Sequence, residues 1–144
     1  MTQNVDRLVD HLFCHKAGEM IAILTRHVGA RHLSLVEDVV QEALVNIVLR
    51  TGEGSANDGL VMDEKGRVYI ASNKAGKIWR YDPKTKETVL IMQGVVGIAS
   101  MAFGAGAWDA TSIYATSTFN PDHAKRVWRI PVGVKGAKIY YGNE

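Results

Sequence analysis

The sequence predicts an α+β protein in which an N-terminal helical hairpin is followed by antiparallel β-meanders. Three observations lead to this fold class. Apolar residues recur at helical spacing through about the first 45 residues, the period then changes to two, and the β-rich part repeats itself after 41–49 residues. We therefore expect two domains, a helical hairpin over residues 1–45 and two four-stranded, propeller-type blades over residues 46–144.

The helical part contains two amphipathic segments separated by a glycine. Gly29 is the expected stop of the first helix. Ser34 and Glu37 have the spacing of a capping box, which predicts that the second helix begins at Ser34. The apolar stripe of the first helix comprises Val5, Val9, Leu12, Phe13, Ala17, Met20, Leu24 and Val28, and that of the second comprises Val36, Val40, Ala43 and Ile47.

Residues 46–50 allow two interpretations. Their β-branched and aliphatic side chains fit the outer strand of a blade, and residues 47–49 align with residues 89–91 at an offset of 42. They also extend the apolar pattern of the second helix. The sequence leaves the choice between strand and helix open.

Short runs of β-branched and aromatic residues, bounded by turn residues, mark the strands of the β-rich part. The repeat groups them in fours. The first blade is predicted to contain strands 59–63, 67–72, 76–82 and 87–93, and the second 99–104, 111–117, 125–131 and 137–141.

The β-rich part resembles the senescence-marker-protein/gluconolactonase family of six-bladed β-propellers. Three segments carry the resemblance, in the order of the family's last two blades. Asn57 to Ala71 is similar to the family's blade opening, Gly76 to Pro83 is similar to its next hairpin, and Gly133 to Ala137 is similar to the end of its last blade. The resemblance implies a calcium ion near the central channel and assigns one of its carboxylate ligands to Asp58. With its neighbour Asn57, Asp58 is the candidate metal site; the alternative is that Asp58 is only a turn residue.

The helical part resembles the start of region 2 of extracytoplasmic-function sigma factors. The most specific match is the acidic segment Glu37 to Leu44. This resemblance implies a chimera and a contact with RNA polymerase. It ends near Val45, before any basic and aromatic surface that holds unpaired DNA, so we expect no DNA binding.

Composition argues for a soluble chain in a reducing compartment. Net charge is +2, the single cysteine excludes an internal disulfide, and no apolar run is long enough for a membrane helix. We therefore expect a cytoplasmic protein without membrane contact. His11, Cys14 and His15 share one helix face, but this cluster is interpreted as the polar edge of the helix.

These observations predict function only in outline. Two blades leave open sheet edges, so we expect a homo-oligomer, of which a six-bladed trimer is one form. If the chain is an enzyme, we expect a calcium-dependent hydrolase that binds a small lactone or ester once assembled. The alternative is a non-catalytic interaction protein or a chimera without an evolved function.

Overall fold

The computed structural model of the 144-residue chain describes residues 17–51, 57–118 and 126–139. These residues belong to two compact units. One comprises Met1–Gly54 with Ile139–Glu144 and contains the helices, and the other, Ser55–Lys138, contains the strands.

Two helices occupy the first unit. Helix α1 spans Ala17–Val28, and a short 3-10 turn, Ala30–His32, leads into helix α2, Leu33–Thr51. The predicted stop at Gly29 is confirmed: its φ is 85° and its N–H donates to the carbonyl of Thr25.

The predicted capping box at Ser34 is wrong. Ser34 lies inside the first turn of α2, which begins one residue earlier, at Leu33. The backbone N–H of Leu33 donates to the carbonyl of Ala30 in the 3-10 turn. The 3-10 turn therefore runs directly into the helix, and Ser34 does not occupy the N-cap position.

The helical interpretation of residues 46–50 is correct, because α2 continues through Thr51. The amide of Asn46 donates to the carbonyl of Glu42, one helical turn earlier, at 2.9 Å. A helix satisfies its backbone groups within the segment, whereas a strand here would need a neighbouring strand.

The two helices contact each other and bury the predicted apolar stripe wherever the structure describes it. Residues 1–16, with the His11, Cys14 and His15 cluster, lie outside the described residues. The buried members of the stripe, each at most 3% exposed, are Met20, Leu24, Val36, Val40 and Ala43.

The second unit holds two antiparallel meanders. The first sheet has the order β1-β2-β3-β4, and the second has the order β5-β6-β7. All seven strands begin and end within two residues of the predicted positions. Their bounds are β1 Asn57–Met62, β2 Val68–Ser72, β3 Lys77–Asp82, β4 Glu87–Gln93, β5 Ile98–Phe103, β6 Ser112–Ser117 and β7 Val127–Pro131.

The predicted eighth strand, 137–141, does not form over its described residues, 137–139. Instead, Gly136 makes an isolated bridge with Asp63, just beyond β1 of the other sheet. The N–H of Ala137 donates to the carbonyl of Met62 at 3.0 Å. A Cβ at Gly136 would lie 2.5 Å from that of Phe103, so the missing side chain lets the segment cross the end of β5.

The core of this unit lies between the two sheets and is formed by side chains from both. The two sheets approach each other most closely where β1 packs against β5. A Cβ at Gly59 of β1 would lie 2.0 Å from the carbonyl oxygen of Ala99 in β5. Every residue of β2 is buried, so this strand is covered on both faces. The cluster consists of Val61, Tyr69, Ala71, Ile78, Val95, Ile98, Ile113, Ala115 and Ile130.

Within residues 17–51, 57–118 and 126–139, no helix has the length and apolar character needed to cross a bilayer.

Candidate functional site

The predicted site residues lie where β1 begins and β2 ends. Asn57 is directly opposite Ser72 in the antiparallel pair. The hydroxyl of Ser72 donates to Oδ1 of Asn57 at 3.0 Å, and both residues are buried. Beside them, the amide of Asn73 donates to Oδ2 of Asp58 at 3.4 Å, and Asp58 is partly exposed. The structure thus brings Asn57 and Asp58 to one end of the first sheet, as the sequence predicts.

Asn57 leaves one polar atom unsatisfied. Its side chain is 1% exposed, and Nδ2 has no hydrogen-bond partner. A buried polar atom without a partner costs about 1–3 kcal/mol. Because the Ser72 hydroxyl can both donate and accept, turning the amide over keeps that bond and leaves Oδ1 as the unpaired atom. In either orientation, Asn57 retains one atom for a ligand.

The backbone around these residues is constrained by close packing. The register of β1 against β2 shifts between Asn57 and Leu60, which marks a bulge. Gly59, inside this segment, lies so close to Ala99 of β5 that no side chain fits. The bulge and the neighbouring strand therefore hold the start of β1 in a fixed conformation.

This cluster alone does not complete a calcium site. Calcium takes 6–8 oxygen ligands. In the part of the chain that the structure describes, no three His, Cys, Asp or Glu side chains lie together in a group that could hold a metal ion. The equivalent position of the second sheet carries Ala99 and Ser100 and offers no carboxylate. Calcium binding by Asp58 and Asn57 stays a prediction, and most of the calcium ligands would have to come from groups outside this cluster.

A different carboxylate, Asp63, organises the opposite end of the first sheet. The sequence indicated only a turn there. The fully buried carboxylate accepts hydrogen bonds from the N–H groups of Lys65 and Arg67, from Nε of Arg67 at 2.7 Å and from the hydroxyl of Tyr69 at 3.1 Å. The sequence signal that was missed is the spacing of Asp63, Arg67 and Tyr69, since these three side chains meet across one tight hairpin.

The Asp63 network shifts the pKa values of its two partners. Burial and, next, the negative charge of Asp63 raise the pKa of Tyr69 to about 12. Burial acts to lower the pKa of Arg67, but the hydrogen bond and charge of Asp63 outweigh it and the pKa is raised. Both shifts favour the protonated side chain in the folded protein, which is the state expected of a structural network.

Asp109 plays the corresponding role in the second sheet. Its carboxylate accepts from the N–H and hydroxyl of Thr111, from the hydroxyl of Ser112 at 2.7 Å and from Nη2 of Arg129 at 2.6 Å. The Ser112 bond and then the Thr111 bonds hold the pKa of Asp109 well below its usual range. Asp109 and Asp63 each fasten the turn between the first two strands of a sheet, and we assign both a structural role.

A family model and a solved structure are similar to this chain. A family model described as "SMP-30/Gluconolactonase/LRE-like region" matches residues 24–119, more than half of the chain. Among solved structures, a luciferin-regenerating enzyme is similar, with a TM-score of 0.47 and 23% identity over 65% of this chain. The match covers 34% of that enzyme, so the chain spans about a third of its length. No curated protein matches.

The comparisons do not support the resemblance to sigma factors. The matched range begins at residue 24 and therefore includes the last five residues of α1 and all of α2. The segment Glu37 to Leu44, which carried that resemblance, lies within the propeller-family match. A chimera is therefore not supported by these findings.

Proposed function

Because the chain belongs to the SMP-30/gluconolactonase/LRE-like family, we propose that its two sheets act as propeller blades that present a calcium site at the start of β1. The ligands from this chain are Asp58 and Asn57. One observation carries the proposal: a buried amide with an unpaired atom, Asn57, stands beside a partly exposed carboxylate, Asp58. The expected ligand besides the ion is a small lactone or ester.

Each residue of the cluster has a distinct task in this proposal. Asp58 supplies the carboxylate oxygen that a hard cation prefers. Asn57 supplies an amide oxygen when its side chain turns over, and the Ser72 hydroxyl keeps it in place in both orientations. Asn73 orients Asp58 through its 3.4 Å hydrogen bond. A bound divalent cation would polarise a substrate carbonyl and lower the pKa of a bound water.

The remaining ligands are proposed to come from assembly. Three copies with two blades each would supply six blades around one axis and bring three Asp58 carboxylates towards it. Carboxylates held close together repel unless a cation neutralises them. Calcium should therefore stabilise such an assembly. Hydrolysis of lactones or esters is proposed for the assembled form alone.

The test is a calcium titration followed by thermal unfolding, with Asp58→Asn as the variant. A ligand at one hundred times its dissociation constant stabilises the folded state by about 2.7 kcal/mol. Calcium should raise the melting temperature of the parent. The increase should be much smaller for Asp58→Asn, whose amide preserves the shape of the turn. Lactonase or esterase activity should fall in parallel.

The matched control is Glu64→Gln, which removes an exposed carboxylate from the turn at the opposite end of the same sheet. This variant should respond to calcium as the parent does. The proposal fails if millimolar calcium leaves the parent's melting temperature unchanged, or if Asp58→Asn responds as fully as the parent. In either case Asp58 is a turn residue.

A further inference from the structure

The end of the helical hairpin is a surface that the proposed cation site does not use. It consists of the last turn of α1, the 3-10 turn Ala30–His32 and the first turn of α2, and we call residues 26–36 the hairpin tip. No residue of the 3-10 turn is buried. The hairpin tip is therefore an exposed end of the first unit.

The hairpin tip carries positive charge without negative charge. Arg26 and His27 lie in the last turn of α1, and Arg31 and His32 lie in the 3-10 turn. The 3-10 turn and the first turn of α2 contain no acidic residue, and the first one after the tip is Glu37. With both histidines neutral, the two arginines give the tip a net charge of +2. Its charge therefore favours an anionic partner.

Two large apolar side chains project from the same tip. Leu33 is 44% exposed and Leu35 is 58% exposed, whereas Val36, the next residue, belongs to the buried stripe. In an α-helix with about 3.6 residues per turn, Leu33 and Leu35 lie on either side of Val36, roughly 160° apart around the axis and about 3 Å apart along it. The two leucines therefore leave the tip in different directions at nearly the same height.

We propose that the hairpin tip docks on the surface of a membrane that contains anionic lipids. The two leucines enter the edge of the hydrocarbon, and the arginines lie among the lipid headgroups. The contact is peripheral, because no helix in the described part of the chain could cross a bilayer. The proposal departs from the sequence-based expectation of no membrane contact, which followed from the lack of a long apolar run and did not consider an exposed tip.

A lipid surface fits the tip better than an acidic protein does. The occupant has to offer negative charge and hydrocarbon together, and it has to cover two leucines that point in different directions. A bilayer interface surrounds whatever is inserted into it and needs no fixed shape. A folded partner would need a matching pocket on each side of the helix, and the tip is smaller than the roughly 20–30 residues a side of a stable protein interface.

The test is sedimentation of the full chain with lipid vesicles in calcium-free buffer. Phosphatidylcholine vesicles with about one third phosphatidylserine should bind the parent, and vesicles of phosphatidylcholine alone should bind it much more weakly. Leu35→Ala should weaken binding to the anionic vesicles at least about tenfold, because most of the side chain that enters the hydrocarbon is removed. Arg31→Gln should weaken it about fivefold, since each arginine near an anionic surface contributes about that factor.

Two matched variants separate the tip from general effects. Val45→Ala trims an apolar side chain that is 43% exposed, about three turns further along α2. Lys84→Gln removes one positive charge from an exposed turn of the strand unit. Both should bind anionic vesicles as the parent does. All four changes alter exposed side chains, and thermal unfolding without vesicles checks that each variant folds.

Hydrogen exchange of the unaltered chain gives a second measurement. Anionic vesicles should slow exchange at the backbone amides of residues 33–36 and leave those of the strands unchanged. Soluble poly-glutamate carries negative charge without hydrocarbon, so it should compete poorly with the vesicles.

Four results would each overturn the proposal. The parent does not bind anionic vesicles, or it binds neutral vesicles equally well. The control variants lose as much binding as the tip variants, or the amides of residues 33–36 do not respond. Poly-glutamate that competes as strongly as anionic vesicles would indicate an acidic protein partner and would also overturn it. Since calcium is absent, failure here is distinguishable from failure of the cation site.

Discussion

Replacing Asp63 by alanine should destabilise the strand unit severely. The carboxylate accepts four hydrogen bonds, two from backbone N–H groups and one each from the side chains of Arg67 and Tyr69. The Asp63 side chain is fully buried and that of Arg67 is 16% exposed. Asp63→Ala therefore leaves a cation and a hydroxyl without partners in a largely dry environment. Removing one member of a buried ion pair costs about 3 kcal/mol or more, which for a chain of this size lowers the melting temperature by about 10 °C.

Asp109→Ala is the matched control for this prediction. Asp109 also accepts four hydrogen bonds and also pairs with an arginine, but the side chain of Arg129 is 57% exposed. Water can solvate that guanidinium once its partner is gone, so the loss should be clearly smaller. Urea unfolding followed by tryptophan fluorescence gives both free energies. Equal losses, or a larger loss for Asp109→Ala, would refute the argument that burial sets the cost.

Two further predictions concern the same unit and the helices. The pKa of Tyr69 is raised from 10.0 to about 12, so the folded state favours the neutral phenol. The stabilising effect is complete below pH 10 and is lost as the pH rises towards 12; the stability difference between the parent and Tyr69→Phe, measured by urea unfolding, should shrink across that window. Gly59→Ala should destabilise strongly, because its Cβ would meet the carbonyl oxygen of Ala99 at 2.0 Å. Gly18→Ala, in α1 where nothing lies within 4 Å of the added Cβ, should instead stabilise by up to about 1 kcal/mol, and a loss there would contradict this account.

The sequence predicted the candidate site as a pair of neighbours but not its surroundings. The turn chemistry and family resemblance of Asn57 and Asp58 placed both residues just before a strand, and in the structure they are the first two residues of β1. The burial of Asn57, its hydrogen bond to Ser72 fifteen residues away and its one unpaired atom depend on strand register and on packing, which the sequence does not show. Asp63 was mistaken for an ordinary turn residue, because nothing in its neighbours shows how deeply it is buried.

The amino-acid sequence by itself determined the α+β class, the end of α1 at Gly29 and the positions of all seven strands to within two residues. These features depend on side-chain alternation and local backbone preferences, which act between residues a few positions apart. Only the tertiary structure decided that residues 46–50 continue α2 and that the chain after β7 crosses to Asp63 without adding an eighth strand over its described residues. Both choices depend on which distant backbone groups are within reach, and the fit of Gly136 against Phe103 exists only once β5 is in place.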